Sequence, residues 1–541
     1  MSRDLSITAY ARLDGREDLI AKLPRAPRTQ DDAELILLAY ETWGEDCVKH
    51  LLGDFAFVIR DKRSRQLFCA RDHFGVKPFY FARVEDEFLF SDSLKTIRRD
   101  PRVSDALNET AIGDYLVFGL NQDLSTTTFR DIQRVPPAHS LTIGDGSTTL
   151  RRYWTPDTSN EVRFRDNDSY VERFSELLQR AVRDRLRDTG RVAVSMSGGL
   201  DSTSLAAVAR DCGADVHACA VVYDQLIPDE ERYYATAAAN HLGIPISFVV
   251  ADRYSLFDEQ VPGDMDQPEP FLLSPLTAQF HNLLRLCEAH GRVAFTGYDG
   301  DAFMHEPRRS RFQVRTALRR MLGRDRGRPV IPQWIDEEFA KRTNLHDRYN
   351  ESFCTQRHKK DAKKGLRPAA IASLNSKVWA PLFEGYDAGA TKLNLELRHP
   401  FVDVRLVEYL LSIPAVPWCV HKHILRLAMK NQLPAAVLNR HKTPLAGDPA
   451  LQLVRSTSVR WLDNFEVNPP LERFVNLKQR RSVADEVTPD DLWASLRVFA
   501  LNYWLTSSQT PEHGDNAWNV NRKPTDKATN RTRASPITSR K

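Results

Sequence analysis

Cysteine is scarce and unpaired in this sequence of 541 residues. The seven cysteines are scattered, and no two of them form a C-x-x-C pair or another spacing typical of metal ligands. This pattern argues against a disulfide scaffold or a structural zinc site and suits a reducing compartment. The formal net charge of +4 is small for this length and gives no reason to expect a nucleic-acid partner.

Long apolar runs are also missing. The N-terminus, MSRDLSITAYARLDGRED, is charged and has no apolar core, so it is not the kind of segment that forms a signal peptide. No uninterrupted apolar run approaches the roughly 20 residues that a membrane-spanning helix needs. We therefore predict a cytoplasmic protein without a membrane partner.

The chain is too long for one ordinary domain, and its patterning changes twice. Residues 1–155 are β-rich, with short strands between charged turns and one helical stretch that closes on Gly44. Residues 165–505 alternate strands with helices, which predicts a parallel sheet with crossover helices and an α/β fold. Residues 506–541 are polar and are predicted to be disordered.

Two segments of the second domain have distinctive patterns. The first is SYVERFSELLQRAVRDRL, a predicted helix in which Ser169 and Glu172 have the spacing of a capping box. The second is residues 308–328, where nine arginines stand against one acid, Asp325. A solvated helix face is the usual explanation for such a run, and a surface for an acidic partner is the alternative.

The stretch AVSMSGGLDSTSLAAVA, residues 193–209, places an apolar run, a glycine pair and a helix in direct succession. Free backbone N–H groups at such a helix start bind phosphate. The loop has no lysine and does not match G-x-x-x-x-G-K-[ST]. Asp201, in the first helical turn, would repel a bare phosphate but is useful if magnesium lies between them. The loop therefore suits a pyrophosphate leaving group, with a simple glycine turn capped by Asp201 as the alternative.

Together with TGYDGDAF, LELRHPFVD and NRHKTPLAGDP, the SGGLDS loop resembles the motifs of asparagine synthetases in order and spacing. The resemblance covers about residues 8–505. It implies an N-terminal glutaminase-type (Ntn) domain followed by a parallel-sheet PP-loop domain of the ATP pyrophosphatase kind, with helical additions. In these enzymes the loop holds the β- and γ-phosphates of ATP, and a carboxylate is adenylated.

The N-terminal domain departs from that family. Its glutaminase uses a cysteine immediately after the initiator methionine, whereas residue 2 here is serine. The Asn-Gly that binds glutamine falls on Ala9 and Tyr10, although Asp32 stands where the amine-binding aspartate would. The resemblance also begins in mid-domain. We therefore predict a glutaminase-like domain that is inactive, N-terminally incomplete and structural in role.

A second departure lies in the synthetase motifs. Asparagine synthetases have glutamate in G-E-G-x-D-E where this sequence has Tyr298. A tyrosine there resembles β-lactam synthetase, which closes a ring with an amine of its own substrate through a Tyr–Glu dyad. Glu384, in PLFEGYD, aligns with the glutamate of that dyad. Lasso-peptide cyclases share this architecture without an active glutaminase, and join a peptide's N-terminal amine to an Asp or Glu side chain.

The resemblance also assigns the other site residues. Asp201 and Asp301 would bind Mg²⁺, and Lys442 matches the lysine that stabilises the anionic transition states. The predicted catalytic residues are thus Tyr298, Glu384 and Lys442. The alternatives are that Tyr298 is an aromatic residue of the core, Glu384 a solvated carboxylate and Lys442 a surface lysine. The residues expected to contact ATP are Ser195, Ser197, Gly198, Gly199, Leu200, Asp201, Ser202, Val221 and Gly297.

Three functions follow from these expectations. The leading one is an ATP-dependent ligase that makes a lasso-type macrolactam from a precursor peptide, with a leader-binding protein and a leader peptidase as partners. The second is an asparagine synthetase that uses free ammonia, or glutamine if an upstream segment completes the domain. The third is a non-catalytic nucleotide-binding protein, against which the intact Asp201, Asp301 and Lys442 argue.

Overall fold

A computed structural model describes most of the chain. The described residues are 4–144, 146–157, 159–227, 230–258, 265–271, 274–298, 300–304, 331–358, 367–440, 447–456, 459–486, 488–508 and 518–519. Three predicted features lie outside them: the arginine-rich segment 308–328, most of the tail, and Lys442.

The N-terminal part alternates strands with short helices. Its elements are β1 (Leu5–Asp14), α1 (Arg16–Ile20), α2 (Asp32–Trp43), β2 (Leu52–Asp61), β3 (Gln66–Arg71), β4 (Tyr80–Val84), β5 (Glu87–Ser91), α3 (Leu94–Arg98), α4 (Glu109–Phe118), β6 (Ile132–Arg134), β7 (His139–Gly144) and β8 (Ser147–Arg152). Gly44, with a φ of 59°, is the C-cap of helix α2, as the sequence predicts.

The rest of the chain continues with strands and helices in alternation and then becomes helical. Its elements are α5 (Asn167–Arg185), β9 (Arg191–Ser195), α6 (Leu200–Asp211), β10 (Asp215–Val222), α7 (Glu231–Leu242), β11 (Ile246–Val250), α8 (Thr277–His290), β12 (Val293–Thr296), α9 (Gly300–Met304), α10 (Glu337–Arg342), α11 (Leu345–His358), α12 (Pro368–Leu374), α13 (Trp379–Gly385), α14 (Ala388–Thr391), β13 (Glu396–Arg398), α15 (Val404–Ser412), α16 (His423–Ala428), α17 (Ala435–Asn439), α18 (Pro449–Ser456), α19 (Pro489–Ser507) and β14 (Trp518–Asn519).

Two antiparallel sheets pack face to face in the N-terminal part. Their strand orders are β1-β2-β3-β7-β8 and β14-β5-β4-β6. Side chains of β2 alternate between two cores because successive residues of a strand face opposite sides. Phe55 and Phe57 pack toward α2, whereas Ala56 and Val58 pack toward the second sheet. This arrangement confirms the glutaminase-like sheet domain that the resemblance implies.

The outer face of the second sheet is covered by helices from both ends of the chain. Tyr115 of α4 shares one core with Phe339 of α10 and Trp504 of α19. Strands β4 and β5 supply the sheet side of this core through residues such as Tyr80 and Leu89. The C-terminal helices therefore complete the hydrophobic core of the N-terminal sheets.

The second half contains the predicted parallel sheet, with the order β11-β10-β9-β12-β13. Every neighbouring pair in it is parallel. Val192 and Val194 face the core beneath α5, α6 and α7, and Ala193 faces the core beneath α8. Both faces are thus buried, as crossover connections require. The α/β prediction is confirmed.

The capping prediction for α5 is wrong. The helix begins at Asn167, and its N-cap is Asp166, whose carboxylate accepts the Ser169 N–H at 2.8 Å. Ser169 instead donates its hydroxyl to Asp166 at 2.9 Å. Aspartate and serine are both good N-cap residues, and here the earlier one starts the helix.

Of the predicted tail, residues 506–541, the structure describes 506–508, at the end of α19, and the strand β14. Strand β14 pairs antiparallel with β5. The domain boundaries at 155, 165 and 505 stay a prediction. Within the described residues, no helix is both long enough and apolar enough to cross a membrane.

Candidate functional site

The glycine loop between β9 and α6 has a conformation that requires glycine. Gly198 has a φ of 67°, and a Cβ placed on it would lie 2.6 Å from the backbone nitrogen of Ala235. The Ser197 N–H donates to the hydroxyl of Ser202 at 3.2 Å, which closes the loop over the first turn of α6. The loop is therefore fixed against α7, with its backbone close to the start of a helix.

The residues predicted to contact ATP lie at the carboxyl ends of three neighbouring strands. Ser195 ends β9 and pairs with Cys219 of β10 and Thr296 of β12. Gly297 follows β12, and a Cβ on it would lie 3.0 Å from the Ser202 nitrogen. This edge of a parallel sheet is where ligands bind in such folds.

Two of the residues predicted to contact ATP have side chains that pack into the core instead of facing the edge of the sheet. Leu200 is 7% exposed and belongs to the hydrophobic core, so only its backbone is left for a ligand. Val221 is half-buried and packs against the core beneath α8. Gly199, between Gly198 and Leu200, is the N-cap of α6.

The two predicted magnesium carboxylates meet around an ammonium group. Lys422 Nζ lies 2.6 Å from Asp301 Oδ1 and also contacts Asp201 Oδ2. Close approach of the two acidic segments depends on Gly300, because a Cβ there would lie 2.6 Å from Asp201 Cγ. The site therefore gathers two carboxylates beside the glycine loop, and both contact the ammonium group of Lys422.

Lys422 is a site residue that the sequence reasoning missed. It immediately precedes α16 and is 8% exposed. Its φ of 57° follows a φ of 51° at His421, so two successive residues adopt the left-handed conformation. Its contacts to Asp201 span 221 positions. No local spacing encodes such a pairing, and the only available signal was a lysine between two histidines.

Lys422→Gln is expected to lower the free energy of unfolding by about 1–3 kcal/mol, because both carboxylates then lose the ammonium group that they contact. Urea denaturation followed by circular dichroism measures the change. Magnesium chloride should restore part of the loss in the variant and change the native protein little. Lys341→Gln is the control, since its pair with Glu337 is exposed and contributes little to stability. Native stability of Lys422→Gln without magnesium would contradict this account.

Tyr298 lies just beyond β12, among aromatic rings. Its ring centroid is 6.0 Å from that of His399. Burial raises the pKa of Tyr298 to about 12, so its phenol is neutral at physiological pH. Burial also lowers the pKa of His399 to about 3, and that imidazole shares a 2.6 Å hydrogen bond with the Thr296 hydroxyl. The ring that Tyr298 stacks on is thus aromatic and neutral.

Glu384 has partners other than the predicted tyrosine. Arg71 Nη2 donates to its Oε1 at 2.8 Å, and Arg134 donates through Nε and Nη2 at 2.8 and 2.9 Å. Burial raises the pKa of Glu384, but the two guanidinium groups outweigh burial and leave the pKa below its ordinary value. A carboxylate ionised and shared in this way is a weak base. The structure therefore gives no support to a Tyr298–Glu384 dyad, and it excludes the solvated carboxylate, because Glu384 is 2% exposed.

The predicted glutamine-binding positions are engaged in contacts within the chain. Asp32 accepts the Leu13 N–H at 2.8 Å and pairs with Arg16 and, at 2.5 Å, with Arg187 Nη2. The Tyr10 hydroxyl donates to Asp387 Oδ2 at 3.2 Å. These contacts connect the N-terminal sheets to the second half of the chain. Ala9 lies on β1, opposite Phe57 of β2, and Ser2 lies outside the described residues.

Lys442 also lies outside the described residues, but the chain that leads to it does not. Arg440 stacks over the ring of Tyr234 at 4.3 Å, and its carbonyl accepts a 3.0 Å hydrogen bond from Arg426 Nη2. Tyr234 in turn packs against the loop at Gly198. Position 440 is therefore held beside the glycine loop.

Comparison with known proteins gives two family matches. Residues 9–154 match a glutamine amidotransferase domain, and residues 173–506 match asparagine synthase. Asparagine synthetase [glutamine-hydrolyzing] 3 of Bacillus subtilis (strain 168) is 27% identical over 472 residues, which cover 80% of this chain and 74% of the relative. Asparagine synthetase [glutamine-hydrolyzing] 2 of the same strain is 26% identical over 470 residues, covering 77% and 59%.

A solved structure described as the allosteric regulatory enzyme of purine biosynthesis is also similar to part of the chain. The match covers 55% of each chain at 13% identity, with a TM-score of 0.21. A score this low assigns no function.

Proposed function

This chain belongs to the asparagine synthase family, and we propose that it joins an activated carboxylate to an amine carried by the same substrate. Members of this family are ATP-dependent ligases that form a carbon–nitrogen bond and produce AMP. The concrete form of the proposal is a macrolactam synthetase of the lasso-peptide type. Its carboxylate substrate would be a precursor peptide, delivered with the help of a leader-binding protein and a leader peptidase.

The observation that carries the proposal is the environment of Asp32. Its carboxylate is 7% exposed and is paired with two guanidinium groups, those of Arg16 and Arg187. A carboxylate engaged by two arginines has few lone pairs and little net charge left for the α-ammonium group of glutamine. Glutamine is therefore a poor nitrogen donor, and the amine has to come from the substrate or from solution.

Tyr298 favours an amine of the substrate. An ammonium nitrogen cannot attack an acyl adenylate until it has lost a proton, so a peptide amine needs an acceptor within hydrogen-bond reach. The neutral hydroxyl of Tyr298 lies at the carboxyl edge of the sheet, among aromatic rings that include His399. Aromatic surroundings suit an organic substrate better than a free ammonium ion, which prefers anionic neighbours.

The reaction divides these residues between two steps. In the first, a carboxylate oxygen attacks the α-phosphorus of ATP, and pyrophosphate leaves from the loop around Gly198. In the second, the amine nitrogen attacks the acyl carbon and AMP leaves. Tyr298 relays the amine's proton, since its hydroxyl oxygen accepts that proton while its own proton passes to solvent water. Lys442 offsets the negative charge that develops in both steps.

Asp201 and Asp301 fit a magnesium ion in the first step. Both offer hard carboxylate oxygens, and Mg²⁺ is commonly bound by one or two carboxylates together with phosphate oxygens. The contact of each with Lys422 places their oxygens at one cation position. Bound there, the ion would supply positive charge against the phosphates.

An asparagine synthetase that uses free ammonia is the second candidate. It is favoured by the relatives, since both matches from Bacillus subtilis are described as asparagine synthetases. It requires aspartate as the carboxylate and predicts asparagine as the product. The non-catalytic alternative is disfavoured because the chain belongs to a family of ligases.

One set of assays separates these functions. We expect AMP and pyrophosphate by chromatography when ATP and magnesium are given with a peptide that has a free N-terminal amine and an acidic side chain. Mass spectrometry should show that the peptide has lost one water molecule. Asparagine from aspartate and ammonium chloride, with the peptide unchanged, would favour the second candidate. ADP as the nucleotide product would contradict both.

Glutamine is expected to remain intact in the same assays, because Asp32 is paired with arginines. Glutamate release by the purified protein should stay at the background of a sample without enzyme. A clear turnover of glutamine would contradict the proposal and restore a glutamine-dependent synthetase.

A further inference from the structure

Two buried arginines of the N-terminal sheets point at the second half of the chain. Arg71 ends β3, and Arg134 ends β6, so each sheet contributes one. Arg71 donates to the carbonyls of Lys77, Gly75 and Val135 at 2.7, 2.7 and 3.1 Å. These bonds lock the guanidinium group and leave Nη2 directed at Glu384.

Arg134 is held in a similar way. Its Nη1 donates to the Thr126 carbonyl at 2.7 Å, and its Nη2 also contacts Glu269. Arg71 and Arg134 are 0% and 1% exposed, and Glu384 is 2% exposed. The carboxylate of Glu384 is therefore bound by two guanidinium groups, which are fixed by their own hydrogen bonds and belong to the N-terminal sheets.

Stability alone does not explain this cluster. Burying several charges carries a large desolvation penalty, and apolar residues of the same volume often stabilise a core as well or better. Hydrogen bonds between a planar guanidinium group and a carboxylate fix the orientation of the two side chains, which apolar packing does not. The cluster therefore serves to place the element that carries Glu384.

That element, α13, packs beside the aromatic rings around Tyr298. The ring of Phe383 on α13 lies 4.6 Å from the ring of His399, which in turn stacks on Tyr298. Tyr386 follows the helix, and its amide donates to Leu382 at 3.2 Å. Burial raises the pKa of Tyr386 well above its ordinary value, and proximity to Tyr298 raises the pKa further. Displacement of α13 would therefore move the surroundings of Tyr298.

We propose that Arg71 and Arg134 are positioning residues of the ligase site, and that the glutaminase-like domain is retained because it holds α13 in place through Glu384. The carbon–nitrogen bond forms at Tyr298, beside α13. The glycine loop instead connects β9 to α6, and neither of these elements carries Glu384. Loss of an arginine should therefore impair the acceptor side and spare nucleotide binding. The inference needs the family's two-step reaction only for its second readout.

Hydrogen exchange of the intact protein, measured by mass spectrometry without any substrate, tests the inference directly. In Arg134→Met, the amides of residues 379–385 and 396–399 should lose protection by about 10-fold or more, while those of α6 keep theirs. The double variant Arg134→Met/Glu384→Met should keep most of this loss, because the arginine fork and the carboxylate that fix α13 are both absent although no charge is left at position 384. Arg134→Lys keeps the charge without the fork, and should give an intermediate loss.

Arg348→Met is the matched control. Arg348 Nη2 pairs at 2.5 Å with Asp114, which is fully buried in the N-terminal part, so this variant also leaves a buried carboxylate unpaired. Residues 379–385 should keep their protection in it. Equal protection loss in the control, or none in Arg134→Met, would overturn the inference.

The second readout uses ATP–pyrophosphate exchange and binding of magnesium ATP. Both should be within a few-fold of native in the double variant. If the native protein shows no ATP–pyrophosphate exchange with peptides or aspartate, the proposed function fails. Hydrogen exchange of the α13 amides still decides in that case whether the arginines position this helix.

Discussion

Asp201→Asn and Asp301→Asn are each expected to reduce ATP–pyrophosphate exchange by about 10²–10³-fold or more. The two carboxylates lie at the edge of the sheet where the glycine loop ends, and both contact the same ammonium group. Charge on the phosphates has to be balanced as pyrophosphate leaves, and neutral amides cannot recruit a cation for it. Exchange of labelled pyrophosphate into ATP measures this step alone.

The control for this pair is Asp215→Asn. Asp215 begins β10 and makes a 2.8 Å surface pair with Arg191, with 61% of its side chain exposed. It resembles the site carboxylates in chemistry but lies at the opposite, amino end of the strand. Exchange in this variant should equal native exchange. If Asp201→Asn keeps more than about a tenth of native exchange, the two carboxylates do not hold the cation in this step.

Tyr298→Phe is expected to separate the two halves of the reaction. Adenylation does not involve the amine, so exchange should persist, while amide product falls by about 10²–10⁴-fold if proton relay is the whole role of the hydroxyl. Because burial raises the pKa of Tyr298 to about 12, the phenol stays protonated below pH 10. The size of the defect should therefore be the same at pH 7 and pH 9.

Glu384→Gln distinguishes this account from a dyad. A Tyr–Glu dyad requires both variants to lose the amide step with native stability. The arginine contacts instead require Glu384→Gln to lower the free energy of unfolding, by about 3–5 kcal/mol, because two buried guanidinium groups lose their carboxylate.

Tyr115→Phe is the control for Tyr298→Phe, since it removes a buried hydroxyl from the core around α4. Native amide yield in Tyr298→Phe would remove the main support for a substrate amine.

The glycine loop could be predicted because its determinants are local. Strand β9, the loop at Gly198 and helix α6 follow each other within about twenty positions, and apolar patterning with glycine is enough to identify them. Asp201 and Asp301 were brought together by one further rule, that carboxyl ends of parallel strands share an edge. Both steps use information that lies within, or next to, a single element.

The partners of Glu384 and Asp201 could not be predicted in this way. Glu384 binds Arg71 and Arg134, which are 313 and 250 positions away, and Asp201 contacts Lys422 across 221 positions. Each is one charge among many of both signs, and periodicity does not select between them. The resemblance supplied a partner for Glu384 from another protein's site, and the fold of this chain supplied two arginines instead.

The core that α4 shares with α10 and α19 affects how the protein is made. On the ribosome, β4, β5 and β6 emerge long before Phe339 and Trp504, which cover their outer face. At about 5–20 residues per second, the last of this cover arrives roughly 20–75 s later. For that time the nascent chain carries an uncovered apolar sheet face. The yield of the protein during expression should therefore depend on the supply of ribosome-associated chaperones and improve with slower growth at low temperature.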